Sequence, residues 1–151
     1  PQELYDTPKN RFVAGFIGSP SMNFMELPLV DAGANLGRGS VSFGLPDEWR
    51  KAVRDAGDTV VAGFRPEHLE LGDIAGPFGT VQGTADVVEY LGNEELLHVS
   101  VNDSDIVAIV DSAYRVQPGD TVTLKMPLGK LQLFATDDNG DALLRHDATA
   151  A

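Results

Sequence analysis

The sequence predicts a mainly β protein, a small closed or nearly closed barrel carried by the stretch from Asp58 to Leu144. Three observations carry that prediction. Short apolar runs follow one another at Thr59–Phe64, Thr80–Tyr90, Glu95–Val101, Ile106–Val110, Thr121–Met126, Lys130–Ala135 and Ala142–Leu144. Leu97, Val99 and Val101 alternate with more polar neighbours, the period of a half-buried strand. Turn chemistry separates the runs at Gly92-Asn93, Pro118-Gly119-Asp120 and Asn139-Gly140-Asp141, where glycine supplies positive φ and Asn or Asp satisfies local backbone. Many short strands with frequent turns favour closure, because an open sheet leaves unpaired edges.

Two segments precede this stretch. From Pro1 to Phe24, Thr7-Pro8 reads as an N-cap with proline at the first helical position. Phe12, Val13, Phe16 and Ile17 then share one helical face, and Gly18-Ser19-Pro20 stops the helix. The chain opens on Pro1 and enters this pattern directly, which reads as a piece cut from a longer polypeptide in preference to a chain with a processed start. From Met25 to Gly57, Met25–Val30 and Val41–Phe43 read as short strands, with Gly33, Gly37, Gly39 and Gly44 as turns. Pro46–Arg54 reads as a short helix with acids early and bases late, the order a helix dipole favours. Trp49 and Val53 share its inner face and belong to the core. The tail after Arg145 is predicted to be disordered.

The composition narrows function mostly by exclusion. A chain of 151 residues suits one ordinary domain with at most a small satellite lobe. The absence of cysteine excludes disulfides, thiol catalysis and cysteine-ligated zinc. With 23 acidic and 11 basic residues the net charge is -12, which repels phosphate backbones and excludes free nucleic acid as a partner. The same charge disfavours adhesion to anionic lipid.

Specific chemistries fail for want of spacing. The only glycine followed by lysine is Gly129, but Leu124 and Leu131 occupy the positions where a phosphate-binding loop needs glycine and a hydroxyl. His68, His98 and His146 are scattered, with none at i, i+3 or i+4 from another, so no zinc site is expected. No nucleophile elbow is present. No catalytic, cofactor-binding or metal-ligating residue is therefore assigned.

One stretch stands out. Gly63-Phe64-Arg65-Pro66-Glu67-His68-Leu69 follows an apolar run and places a guanidinium, a carboxylate and an imidazole around a proline. Pro66 fixes its own φ, lacks an N–H and pushes Arg65 toward extended backbone, so the strand must stop at a stiff corner. The corner is either a turn whose charges satisfy local backbone or a contact point for a neighbouring domain, subunit or small ligand. Glu94, beside Gly92, is either a second contact point or a solvated hairpin tip. Arg65, Pro66, Glu67, His68, Gly92 and Glu94 are the interaction candidates.

Three ordered pieces resemble one family. Pro1–Pro8 running into Arg11–Pro20 and Met22-Asn23-Phe24 resembles the end of the nucleotide-binding domain in ATPases of sugar-importing ABC transporters. Gly63-Phe64-Arg65-Pro66-Glu67-His68 resembles the G-x-R-P-E-H motif of their C-terminal regulatory domain. Val87–Glu94 followed by Leu97-His98-Val99 resembles that domain's V-E-x-L-G-x-E hairpin. Leu133-Phe134 fits as well, although Ala135 stands where the family usually has aspartate.

The resemblance implies an OB-fold-like (MOP/TOBE-type) β-barrel with a short extra β/helix lobe and an N-terminal helix. Residues 1–24 would be the remnant of the nucleotide-binding domain and linker, 25–145 the regulatory domain and 146–151 a tail. It further implies a homodimerising tether for the two ATPase subunits of a maltose-, trehalose- or glycerol-phosphate-type importer. Implied partners are its own nucleotide-binding domain, the transporter's membrane subunits and a regulatory protein, at the cytoplasmic face of the membrane. ATP and Mg²⁺ would belong to a nucleotide-binding domain lying before Pro1, leaving this part without a cofactor. The alternative is a TOBE module for a small ligand, an oxyanion facing Arg65 or a sugar.

Overall fold

A computed structural model describes residues 21–137 and 140–144. The helix expected before Gly18, Asn139 of the third turn and the tail after Arg145 lie outside the described residues. Among the described residues nine antiparallel strands form one continuous sheet in the order β7 (Ser104–Asp111), β6 (Glu94–Val101), β5 (Phe78–Tyr90), β3 (Val41–Gly44), β2 (Asn35–Arg38), β1 (Asn23–Val30), β4 (Thr59–Phe64) and β9 (Gln132–Phe134), with β8 (Thr121–Pro127) also pairing with β5. No helix among the described residues is long and apolar enough to cross a membrane.

Strand β1 (Asn23–Val30) starts two residues ahead of the expected Met25. Asn23, Met25 and Leu27 point inward, while Phe24 and Glu26 point out. It pairs with β4 (Thr59–Phe64) from Asn23↔Phe64 to Pro28↔Thr59, and its last two residues turn onto β2 (Asn35–Arg38). The β2 strand falls where the sequence predicts only turns, because Leu36 is its one buried residue and Gly37 reads as a breaker. Gly37 stands there for close packing, since a Cβ would lie 2.9 Å from the Val41 carbonyl oxygen. Gly44 likewise closes strand β3 (Val41–Gly44), whereas Gly33 and Gly39 do make turns, at φ of 89° and 58°.

Helix α1 (Asp47–Ala56) buries Val53 and packs Trp49 against the same core. On its outer face the Lys51 ammonium bonds the Asp55 carboxylate at 2.7 Å and holds that carboxyl below the usual carboxylate range, first by the hydrogen bond and then by its charge.

Strand β5 (Phe78–Tyr90) is the switch of the fold. Its first half pairs with β8 (Thr121–Pro127) on one edge and touches β3 on the other. Its second half pairs with β6 (Glu94–Val101), which pairs with β7 (Ser104–Asp111). A bulge between Ala85 and Val87 marks the change of partner and adds local twist. Gly83 sits at the crossing, where a Cβ would lie 2.3 Å from the Ser100 carbonyl oxygen.

Strand β9 (Gln132–Phe134) pairs with β4. The strand expected at Ala142–Leu144 is instead reduced to isolated bridging, Phe134↔Ala142, because one turn after a three-residue edge strand leaves little to pair with.

Closure comes from a side chain. The Asn23 amide donates to the Val107 carbonyl at 2.8 Å and accepts from the Val107 N–H at 2.9 Å. One asparagine thus imitates a strand partner and joins β1 to β7. The enclosed core runs from Leu27 and Phe43 through Phe64, Val99, Leu124 and Leu133. A second, smaller cluster of Met22, Val61 and Phe134 covers the other face of β4, which is why that strand reads as an unbroken apolar run.

Candidate functional site

The Arg65 corner is built as the sequence dictates. Arg65 is extended, with φ -84° and ψ 141°, as a residue before proline must be. Pro66–His68 then makes one 3₁₀ turn, closed by the His68 N–H on the Arg65 carbonyl at 3.0 Å. Glu70 exchanges backbone hydrogen bonds of 3.0 and 2.8 Å with Lys125 of β8, and the Lys125 ammonium donates to the Leu71 carbonyl at 3.0 Å. The turn itself packs against β7.

Burial divides the motif. Arg65 is 2% exposed, Pro66 is buried and Leu69 is a core residue, whereas Glu67 is exposed and His68 half-buried. None of Arg65, Glu67 and His68 is without a partner. Arg65 and Pro66, two of the interaction candidates, therefore lie inside the domain rather than on its surface. The reason is geometric. Phe64 and Leu69 both enter the core, and Arg65 and Pro66 continue the buried run of β4 before the turn brings Glu67 out to solvent.

The Gly92–Glu94 candidates sit elsewhere, at the tip of the β5–β6 hairpin. Gly92 has φ 90°, and the Leu91 N–H closes the turn on the Glu94 carbonyl at 2.8 Å. Glu94 is exposed and stands directly opposite Asp111 of β7, like charge against like charge. Val87, Tyr90 and Leu91 on the same hairpin are large, apolar and exposed, Tyr90 at 75%. His98, farther along β6, bonds Glu89 of β5 at 2.6 Å. No group of three or more His, Cys, Asp or Glu able to hold a metal ion occurs among the described residues.

Two residues of consequence escaped the sequence reading. Asn23 closes the barrel, and nothing in its local pattern announces that. Glu95 is 5% exposed. Its signal was present, since it lies two residues before Leu97 and in phase with Val99 and Val101.

Residues 18–69 match the family described as MalK OB fold domain, and residues 62–134 match the TOBE domain. The two matches overlap across the Arg65 corner. The chain is 37% identical over 147 residues to the maltose/maltodextrin import ATP-binding protein MalK of Vibrio cholerae serotype O1, covering 91% of this chain and 37% of that protein. It is 32% identical over 143 residues to the oligosaccharides import ATP-binding protein MsmX of Bacillus subtilis, covering 91% and 39%. The chain thus spans somewhat over a third of the length of these relatives. Its fold resembles a molybdate-bound structure of the cytoplasmic molybdate-binding protein ModG, with a TM-score of 0.53, 13% identity and coverage of 78% of this chain and 98% of that one.

Proposed function

Because the chain belongs to the MalK-type OB and TOBE domain family found in sugar ABC importer ATP-binding proteins, we propose that it is the regulatory and dimerisation domain of such a subunit. The observation that carries the reading is the order of the two domain matches along this chain, together with its likeness to ATP-binding proteins named for maltose/maltodextrin and oligosaccharide import. In this reading residues 1–24 are the end of a nucleotide-binding domain, with Asn23 and Phe24 drawn into β1. Residues 25–145 form the regulatory domain and 146–151 a tail. ATP and Mg²⁺ belong to the nucleotide-binding domain of the parent, and the chain itself carries no catalytic residue. The parent works at the cytoplasmic face of the membrane with its membrane subunits, coupling ATP hydrolysis to sugar uptake.

The mechanism is mechanical. A barrel that pairs with its twin keeps two ATPase domains together while their nucleotide sites open, raising their effective concentration for each other to about the millimolar range for short links. A regulatory protein bound to the barrel shifts opening against closing only by its differential affinity for the two states. The exposed Val87, Tyr90 and Leu91 supply apolar surface of the kind that protein contacts use.

Sedimentation of the chain over a range of concentrations tests the reading. A concentration-dependent dimer is expected, and a strict monomer at the highest concentration counts against the tether. The alternative, an oxyanion site at Arg65, is weakened by the burial of that guanidinium and by the net charge of -12. Calorimetry with molybdate, sulfate and disaccharides is expected to show no heat of binding.

A further inference from the structure

Glu95 lies on the inward face of β6 and is 5% exposed, yet its Oε1 makes no hydrogen bond among the described residues. A buried carboxylate oxygen without a partner is costly, and proteins rarely keep one unless something else satisfies it. The side chain lines an open cavity of about 380 Å³ together with Tyr90, Ser112, Ala113, Arg115 and Gln117. The cavity sits where β6 ends and the Asp111–Asp120 connection folds back. That connection is firmly placed. The Ser112 N–H bonds the Asn93 carbonyl at 2.9 Å, Asp111 accepts from the Ala113 N–H at 2.8 Å, and Asp120 accepts from the Gln117 N–H at 2.9 Å.

The electrostatics of the cavity select the occupant. Glu94 and Asp111 face each other at the adjoining strand ends, so the neighbourhood is acidic on a chain of net charge -12. Among the described residues Arg115 is the one cation of the lining, but it is exposed and sits at a left-handed φ of 50°. A divalent metal is disfavoured because no three ligating side chains converge there among the described residues. An anion meets repulsion, and a neutral polyol leaves the acidic surroundings uncompensated. An alkyl cation answers each of these. It supplies the donor that Oε1 lacks, and the exposed Tyr90 of the lining is an aromatic ring of the kind that attracts positive charge.

We propose that this cavity binds an organic cation, a guanidinium or primary ammonium group, with Glu95 as its counter-ion. The group can come from a free amine or from a basic side chain of a polypeptide, and two probes separate these sources. Agmatine carries a guanidinium and a primary ammonium without a backbone, and a short blocked peptide with one arginine carries the guanidinium on a backbone. Titration of the 151-residue chain followed by amide chemical shifts is expected to move the signals of Glu95, Ser112 and Arg115 with both probes, saturating in the millimolar range or below. Tighter binding of the peptide assigns the site to a polypeptide partner, and tighter binding of agmatine to a free amine. Glu95→Gln is expected to weaken binding at least tenfold, since the charge is lost while the shape stays. Glu95→Leu is expected to abolish binding and to raise Tm by about 2–4 °C by removing the buried unpartnered oxygen. Absence of any local shift with both probes overturns the proposal. So does a fall in Tm for both Glu95→Leu and Arg115→Ala, which would show that the carboxylate is already satisfied by Arg115 within the chain.

Discussion

The Arg65 corner and the β5–β6 hairpin tip look alike in sequence: each is a short turn with charges beside apolar residues at the end of a strand. In space they differ. The corner begins and ends in the core, through Phe64 and Leu69, and its backbone is fastened to β8 by Glu70. The tip projects beyond the last core pair and leaves Val87, Tyr90 and Leu91 in solvent. The same residue types are therefore buried in one place and left in solvent in the other. What separates them is which side chains continue into the core: Arg65 and Pro66 follow the buried run of β4 inward, whereas Val87, Tyr90 and Leu91 face away from it.

Changes in stability test this contrast most directly. Leu69→Ala removes a core anchor of the corner and is expected to cost about 2–5 kcal/mol in denaturant unfolding, from lost burial and a cavity. A cost below about 1 kcal/mol would mean that the corner is not anchored as described. Arg65→Ala is expected to cost about 2–4 kcal/mol in the same assay, because it empties a buried site and strands the partners of the guanidinium. It should leave self-association unchanged once unfolding is corrected for.

The tip should respond in the opposite way. Gly92→Ala meets no steric obstacle, since nothing lies within 4 Å of the new methyl group, so only the positive φ opposes it. A loss of roughly 1 kcal/mol is expected. Glu94→Lys places opposite charge against Asp111 and is expected to stabilise by roughly 0.2–1 kcal/mol. It should alter self-association measured by sedimentation more than it alters Tm. If the tip variants cost as much as the corner variants, the division between the two regions is wrong.

Much of the fold was legible before any coordinates. The strand Thr59–Phe64 was read at both ends, the helix after Pro46 to within two residues, and the hairpin turn at Gly92 from its glycine. The extended Arg65 and the stop after it follow from proline alone. Less legible were β2, whose glycine is a packing residue disguised as a breaker, and the end of the chain, where a bridge replaced a strand. Among the candidates, Glu67 and His68 kept some exposure, Gly92 and Glu94 kept theirs in full, and Arg65 and Pro66 lost theirs to the interior.

The sequence by itself determined what is local: the strand Thr59–Phe64 and its stop before Pro66, the positive-φ turn at Gly92, and the alternation of inward and outward residues along β6. It also carried the ordered motifs by which the family is recognised. Only the tertiary structure decided what is non-local. Asn23 meets Val107 across a separation of 84 residues. β5 exchanges one set of partners for another at its bulge, and Glu95 lies beneath a loop that begins 16 residues later on the other side of β7. The physical reason is that alternation and turn propensity act over a few bonds, whereas burial depends on which segments arrive from elsewhere. An arginine written into a turn has no local means of recording that the core will close over it.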